Sequence, residues 1–176
     1  PYPARLRRAL FFARLTGWAR GLLPRSLGAM LELSPGRLPR SSGISEHVPA
    51  EGECRARVGL LLGCAQNVLA PGINEASVRV LSRNGVEVTA PAGQGCCGAL
   101  SIHSGETRQA RELAGSLFDV FDGDLDAVLT NAAGCGSGIK EYPALFRGSE
   151  REEAARRFSS RVEDISVFLD RIGPLP

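Results

Sequence analysis

The sequence has no Cys-x-x-Cys pair, only two histidines, and no apolar run of the roughly 20 residues that a membrane span needs. Structural zinc sites usually take their cysteines from Cys-x-x-Cys pairs, so the usual pattern of such a site is missing. With two histidines and no serine in a nucleophile elbow, the usual hydrolase arrangements are missing as well. Aromatic residues make up 6% of the chain and do not alternate with its arginines. We therefore expect no nucleic-acid partner.

The cysteine content indicates a reducing compartment. Five cysteines in 176 residues are an odd number and lack the density of a secreted disulfide scaffold. Nothing resembles a signal peptide, because Arg14 interrupts the short apolar run 10–13. We expect a cytoplasmic protein whose free thiols are available as ligands.

The net charge of +2 hides a strong asymmetry. Residues 1–40 contain eight arginines against the single acid Glu32, whereas the remainder has 13 basic and 18 acidic side chains. We predict a basic arm with helical pieces over 1–33, followed by a linker rich in Pro, Gly and Ser, so that the first unit spans 1–53. Basic runs are most often solvated faces, but this arm is also a candidate for peripheral contact with the inner face of a membrane.

From residue 57 the pattern alternates between short apolar runs and amphipathic segments. It predicts strands over 58–62, 86–89 and 127–130, and helices over 73–83, from Ser104 to Val120, over 150–161 and over 164–172. In the first of these helices we expect one buried face, formed by Ile73, Ala76, Val80 and Leu81. Strand–loop–helix repeats predict an α/β fold, a three-layer domain over 54–176 with a mainly parallel sheet and flanking helices.

Four cysteines follow the predicted strands. Cys64 lies after the first, the adjacent pair Cys96–Cys97 after the second, and Cys135 after the third, each beside glycine. In parallel sheets, ligands bind beyond the carboxyl ends of the strands. The topology should therefore bring the four thiols to one edge of the sheet.

Three interpretations of these thiols remain. Buried structural cysteine would explain one or two of them, but not four at glycine-flanked strand ends. Zinc accepts four thiolates but usually takes them from CxxC pairs. An iron–sulfur cluster needs thiolates from several directions, and we favour it, with Gly95, Gly98, Gly134 and Gly136 allowing the backbone to approach the cluster.

Residues 93–98 also match the nucleotide-binding motif GxGxxG. The match is a weak signal here, because the acid expected about 20 residues later falls in a helix.

Three further residues have less specific interpretations. His103 could hydrogen-bond a cluster or simply pack at the start of a helix. Lys140, the only lysine, follows Cys135 and is expected to be exposed. Cys54 lies in the polar linker and is expected to be a bystander thiol.

The cysteine pattern resembles the cysteine-rich CCG domain family, and within it the iron–sulfur subunits of glycolate oxidases. The residues that carry this resemblance are Gly63-Cys64-Ala65-Gln66, Gly95-Cys96-Cys97-Gly98-Ala99-Leu100 with His103, and Asn131-Ala132-Ala133-Gly134-Cys135-Gly136. The resemblance implies an electron-transfer component without catalytic residues of its own. It would pass electrons from flavin-containing subunits that oxidise a 2-hydroxy acid to an acceptor such as quinone.

The chain departs from the family pattern in two ways. The fullest motif ends in CxxC, whereas Gly138 stands where its fifth cysteine would be. Four thiolates suit a [4Fe–4S] cluster, with metal ligands Cys64, Cys96, Cys97 and Cys135, rather than a five-cysteine cluster. The family's ferredoxin motifs and second CCG segment are also missing from this sequence, so we interpret it as the middle of a longer subunit.

Two alternatives to the electron-transfer function remain. One is a zinc-bound or metal-free assembly module, and the other is a thiol–disulfide oxidoreductase using Cys96 and Cys97.

Overall fold

The structure, a computed structural model, describes residues 2–15, 24–32, 35, 37–40, 43–121 and 123–173. Residues 1, 16–23 and 33 of the predicted helical arm lie outside this range. The strands are β1 (His47–Val48), β2 (Ala56–Leu61), β3 (Val86–Thr89), β4 (Ala127–Thr130) and β5 (Val162–Asp164). The helices are α1 (Pro3–Leu15), α2 (Arg25–Glu32), α3 (Gln66–Leu69), α4 (Pro71–Arg83), α5 (Ala99–His103), α6 (Thr107–Val120), α7 (Ala133–Lys140), α8 (Tyr142–Leu145), α9 (Glu152–Arg161) and α10 (Ile165–Ile172).

The five strands form one sheet in the order β1-β3-β2-β4-β5. β3, β2, β4 and β5 are parallel, and β1 pairs with β3 in the antiparallel sense. Because parallel strands need crossover connections, helices cover both faces of the sheet. The predicted α/β class, with a mainly parallel sheet and flanking helices, is confirmed.

Alternation along β2 and β4 divides the core into two halves. Val58, Leu60 and Leu129 pack with α4 and α10 on one face of the sheet. Leu61 and Val128, pointing the other way, pack with α5 to α9 on the second face. Side chains alternate along a strand, so a continuous apolar run fills both halves at once.

The buried face of α4 differs from the predicted one. Leu81 is buried as expected, but Ile73 and Val80 are 48% and 43% exposed. The inner face instead begins with the polar residues Asn74 and Ser77, both buried. They can lie inside because both are hydrogen-bonded.

Other boundaries were also missed. Ser104 does not begin α6, because its hydroxyl donates to the carbonyl of Leu100 and it ends α5. β5 lies where two helices were predicted to meet, and β1 lies inside the predicted linker. Two or three residues are too few for an alternating pattern to be recognised.

The basic arm lies on the outside of the domain. No residue of α1 is buried, and α1 contacts α3 close to the carboxyl edge of the sheet. Arg7 donates to the carbonyl of Pro39. Among the described residues, no helix has both the length and the apolar character that a membrane crossing requires.

Candidate metal centre

Three turns carry the four thiols to the carboxyl edge of the parallel strands. Cys64 follows β2 in the turn that leads into α3, and Cys135 lies in the first turn of α7 after β4. Cys96 and Cys97 end the loop after β3, immediately before Gly98 and α5. Cys96 and Cys97 are 2% and 4% exposed, whereas Cys64 and Cys135 are half-buried.

The thiols form a row of neighbouring pairs. The Sγ atoms of Cys64 and Cys96 are 3.4 Å apart. Side-chain interactions that shift the thiol pKa values continue from Cys96 to Cys97 and from Cys97 to Cys135. The prediction that the fold would bring all four cysteines together therefore agrees with the geometry.

A cavity of about 300 Å³ opens beside these pairs. All four cysteines line it, together with His103 and Leu100 of α5, the latter 67% exposed at the rim. The remaining lining residues are Gly63, Ala65, Gln66, Ala99, Ala132 and Gly134. The cavity is largely apolar apart from its sulfurs, so a bound group would be screened from much of the solvent.

Hydrogen bonding among the thiols displaces their pKa values. The bond that Cys64 makes to Cys96 raises the pKa of Cys64, and burial adds to this effect. The bond to Cys135, together with burial, raises the pKa of Cys97 to about 12. Cys135 accepts that bond, which lowers its pKa. For Cys96 the interaction with Cys64 lowers the pKa, but the interaction with Cys97 and burial outweigh it, so that the pKa is raised. Cys64, Cys96 and Cys97 of the metal-free protein are therefore protonated at neutral pH and would release protons to a metal.

These features bear on two of the alternatives. A thiol–disulfide oxidoreductase needs a thiol of low pKa, but Cys96 and Cys97 are buried and both have raised pKa values. Within the described part of the chain, no three histidine, cysteine or carboxylate side chains are arranged to hold one metal ion. The thiols are arranged along a cavity, which suits a group larger than one zinc ion. Four soft donors on its wall fit an iron–sulfur cluster in chemistry and in number.

Comparison with known proteins agrees with this pattern. The segment 58–140 matches the family model of the cysteine-rich CCG domain, and it contains all four lining cysteines. Residues 58–140 belong to the CCG domain family. No solved structure matches the chain.

The curated relatives that the chain matches are longer proteins. The chain is 34% identical over 153 residues to a probable glycolate oxidase iron–sulfur subunit from Bacillus subtilis, covering 84% of this chain and 34% of the relative. It is 33% identical to the glycolate oxidase iron–sulfur subunit of Escherichia coli, covering 65% of this chain and 30% of that protein. It is also 33% identical to lactate utilization protein A of Geobacillus thermodenitrificans, with 64% and 47% covered. The chain thus spans a third to a half of the length of these relatives.

The predicted glycines have different surroundings in the CCG domain. Gly98 has a φ of +76° and donates its N–H to Cys96 Sγ over 3.4 Å. Gly134 lines the cavity. Gly95 and Gly136 do not line it, and Gly136 packs against Thr130 instead.

The less specific predictions also have structural outcomes. His103 is an exposed residue in the last turn of α5 and lines the cavity. Lys140 is exposed overall, as predicted, but its Nζ donates to the carbonyls of Ser159 and Val162, at 2.7 and 2.5 Å. Cys54 is exposed and away from the cavity, as expected for a bystander.

Sequence reasoning missed the residues that support the site. The buried Tyr142 donates its hydroxyl proton to the carbonyl of Cys97 over 2.6 Å. The side chains of Gln66, Asn74, Gln94 and Asn131 hydrogen-bond around the turns that carry the thiols. One signal could have found them, because Gln66 and Gln94 lie two residues from a candidate ligand and Asn131 lies directly after a strand.

Proposed function

We propose that this CCG domain binds an iron–sulfur cluster, of the [4Fe–4S] type, through Cys64, Cys96, Cys97 and Cys135. The observation that carries the proposal is the presence of all four thiols on the wall of one cavity of about 300 Å³. Four thiolates are the usual protein ligands of such a cluster. The relatives from B. subtilis and E. coli are named iron–sulfur subunits, which supports the same cofactor here.

The surrounding residues would prepare the site. When bound, the cluster would supply a centre that takes up and releases one electron at a time. Gly98 directs a backbone N–H at Cys96 Sγ, and such a bond stabilises the thiolate form. The apolar wall limits the access of water. His103 lines the same cavity, where its ring could hydrogen-bond a thiolate or sulfide of the cluster.

The role that follows is electron transfer within a complex that oxidises a 2-hydroxy acid such as glycolate or lactate. The proposed electron donors are flavin-containing subunits, and the proposed acceptor is quinone or another carrier. The names of the relatives support this role, since they are subunits of glycolate oxidases or lactate utilization proteins. Substrate oxidation would belong to the partners.

Peripheral contact with a cytoplasmic membrane face is proposed for the basic arm. Arg5, Arg8 and Arg14 lie on α1 beside Phe11 and Leu15, which are 52% and 55% exposed. Basic and apolar side chains on one surface helix are the combination that binds anionic lipid headgroups. The division between this arm (1–53) and the cluster domain (54–176) is proposed from the change in charge and composition along the chain. β1, which lies within 1–53, pairs with β3 in the sheet of the second unit.

Anaerobic reconstitution of the chain with iron and sulfide tests the cofactor. We expect about four irons and four sulfides per chain and an electron paramagnetic resonance signal after reduction with dithionite. Cys97→Ser should lower the iron content and abolish the signal, and Cys54→Ser is the matched control that should leave both unchanged. Tight zinc in place of iron, or no metal in a folded protein, would instead favour the assembly-module alternative.

A further inference from the structure

The backbone of Leu62, just past the end of β2, is held by side chains from two other parts of the chain. Its N–H donates to Gln94 Oε1 over 2.8 Å, and its carbonyl accepts a hydrogen bond from Asn74 Nδ2 over 2.8 Å. Strand pairing ends at Leu61. Leu62 therefore has both peptide groups satisfied without a neighbouring strand, two residues before Cys64.

Gln94 connects this point to the double-cysteine loop. It lies two residues before Cys96, and its Nε2 also donates to the carbonyl of Leu60 over 3.2 Å. One side chain thus fixes the loop after β3 to two backbone positions, Leu60 and Leu62, at the end of β2. The 3.4 Å contact between the sulfurs of Cys64 and Cys96 follows directly beyond this connection.

Asn74 connects the same point to the turn that leads to Cys135. Its Oδ1 accepts hydrogen bonds from Gln66 Nε2 at 2.8 Å and from Asn131 Nδ2 at 3.1 Å. Gln66 Nε2 also donates to Asn131 Oδ1 over 2.5 Å. Asn131 follows β4, and Asn74 is fully buried. The amide cluster therefore joins the turn after β2 to the turn after β4.

We propose that Gln66, Asn74, Gln94 and Asn131, here called the amide frame, are positioning residues that set the relative positions of the three thiol-bearing turns. A buried polar network in which each member has partners is rigid, so the turns keep their spacing without a metal. None of the frame bonds given above ends on a cysteine side chain, so the frame acts on the ligands through the backbone, and Gln66 also lines the cavity. Its proposed effect is to retain the cluster. This inference rests on the proposed function for its effect on a cluster, but not for its effect on the thiols.

Three matched Gln→Leu variants separate positioning from simple stability. Gln66→Leu and Gln94→Leu each remove frame bonds at half-buried positions. Gln109→Leu is the control, because Gln109 is also half-buried and accepts one hydrogen bond, from Ser101 Oγ at 2.9 Å, outside the frame. All comparisons are made at a temperature at which thermal unfolding shows the variants to be folded. If Gln66→Leu does not fold, Gln94→Leu carries the test alone.

The first measurement needs no cluster. Diamide oxidises two thiols to a disulfide and takes up the two electrons and two protons that they lose. In the metal-free wild type we expect the Cys64–Cys96 disulfide as the main intramolecular product, identified by peptide mapping, because the two sulfurs are 3.4 Å apart. Gln94→Leu and Gln66→Leu should slow this reaction and give mixed pairings, whereas Gln109→Leu should match the wild type. Unchanged rates and pairings in both frame variants would overturn the proposal.

The second measurement follows the reconstituted protein in the presence of an iron chelator. We expect the frame variants to lose iron about 10- to 100-fold faster than Gln109→Leu, in line with the 10- to 100-fold loss of metal affinity that follows when residues orienting metal ligands are replaced. Loss at the control rate would overturn the proposal for the cluster. If the wild type takes up no cluster, the proposed function fails, and the diamide comparison still decides whether the frame positions the thiols.

Discussion

Gly138 of α7 lies directly against Ala99 of α5. A Cβ atom at position 138 would be 2.4 Å from the Cβ of Ala99 and 2.9 Å from its Cα, closer than atoms can approach. This is the position at which the fullest CCG motif has its fifth cysteine. In this chain the helix–helix contact fills the space that a fifth thiol would need, and it is therefore compatible with the proposed four-thiolate site.

A side chain at position 138 is therefore expected to destabilise the fold. Gly138→Ala should lower the free energy of unfolding by about 1 kcal/mol or more, because overpacking outweighs the ~0.5–1 kcal/mol gained by replacing glycine in a helix. Gly138→Cys should do the same without adding a ligand. Urea denaturation of the metal-free protein measures both.

Gly134→Ala is the matched control for this prediction. It lies in the same helix, and a Cβ there would meet no atom within 4 Å. It should be neutral or stabilising by up to about 1 kcal/mol. Equal destabilisation by the two substitutions would contradict the steric explanation.

Removal of the Tyr142 hydroxyl should weaken the fold beneath the double-cysteine loop. Tyr142→Phe keeps the ring, which stacks on Phe158 with centroids 6.1 Å apart, but leaves the carbonyl of Cys97 without this donor. We expect a loss of about 1–3 kcal/mol in thermal or urea unfolding. Tyr2→Phe, at a 44% exposed position, should have no measurable effect and serves as the control. A Tyr142→Phe variant as stable as the wild type would show that the bond contributes nothing.

Lys140 is expected to stabilise the end of α9. Its ammonium group donates to the carbonyls of Ser159 and Val162, which lie where α9 ends and β5 begins. Lys140→Met retains much of the aliphatic stem and removes both partly buried bonds. The free energy of unfolding should therefore fall by about 1 kcal/mol or more, the typical net contribution of an intramolecular hydrogen bond. Hydrogen exchange should increase locally at 159–164. If exchange increases equally across the sheet, the lysine has no specific role at this helix end.

The sequence predicted the central strands because β2 and β4 are buried apolar runs and β3 alternates between apolar and polar residues, each followed by a turn and an amphipathic helix. It could not predict β5, which has three residues and is defined by its partner: Val128 pairs with Val162. The error on α4 has a related cause. Hydrophobic periodicity assumes that buried positions are apolar, whereas Asn74 is buried because it bonds the backbone of Leu62.

For the candidate site, the sequence predicted which residues meet but not what supports them. Cys64, Cys96, Cys97 and Cys135 all follow strands, so topology alone brings them to one edge. The hydrogen bond from the Leu62 N–H to Gln94 joins residues 32 positions apart, and the Tyr142 hydroxyl reaches the carbonyl of Cys97 across 45 positions. Proximity to a ligand could mark Gln94 as a candidate, but its partner depends on the packed fold.

Cys54 should be the one thiol of the native metal-free protein that alkylates quickly. It is exposed, with only a 3.6 Å contact to the carbonyl of Ala56, whereas Cys96 and Cys97 are almost fully buried. We expect one rapid equivalent of iodoacetamide, followed by slow reaction of the half-buried Cys64 and Cys135, because alkylation requires an accessible thiol. Cys54→Ser should remove the rapid phase and leave the slow phases unchanged. Two or more rapid equivalents in the wild type would mean that the cavity thiols are open to solvent, contrary to the packing described above.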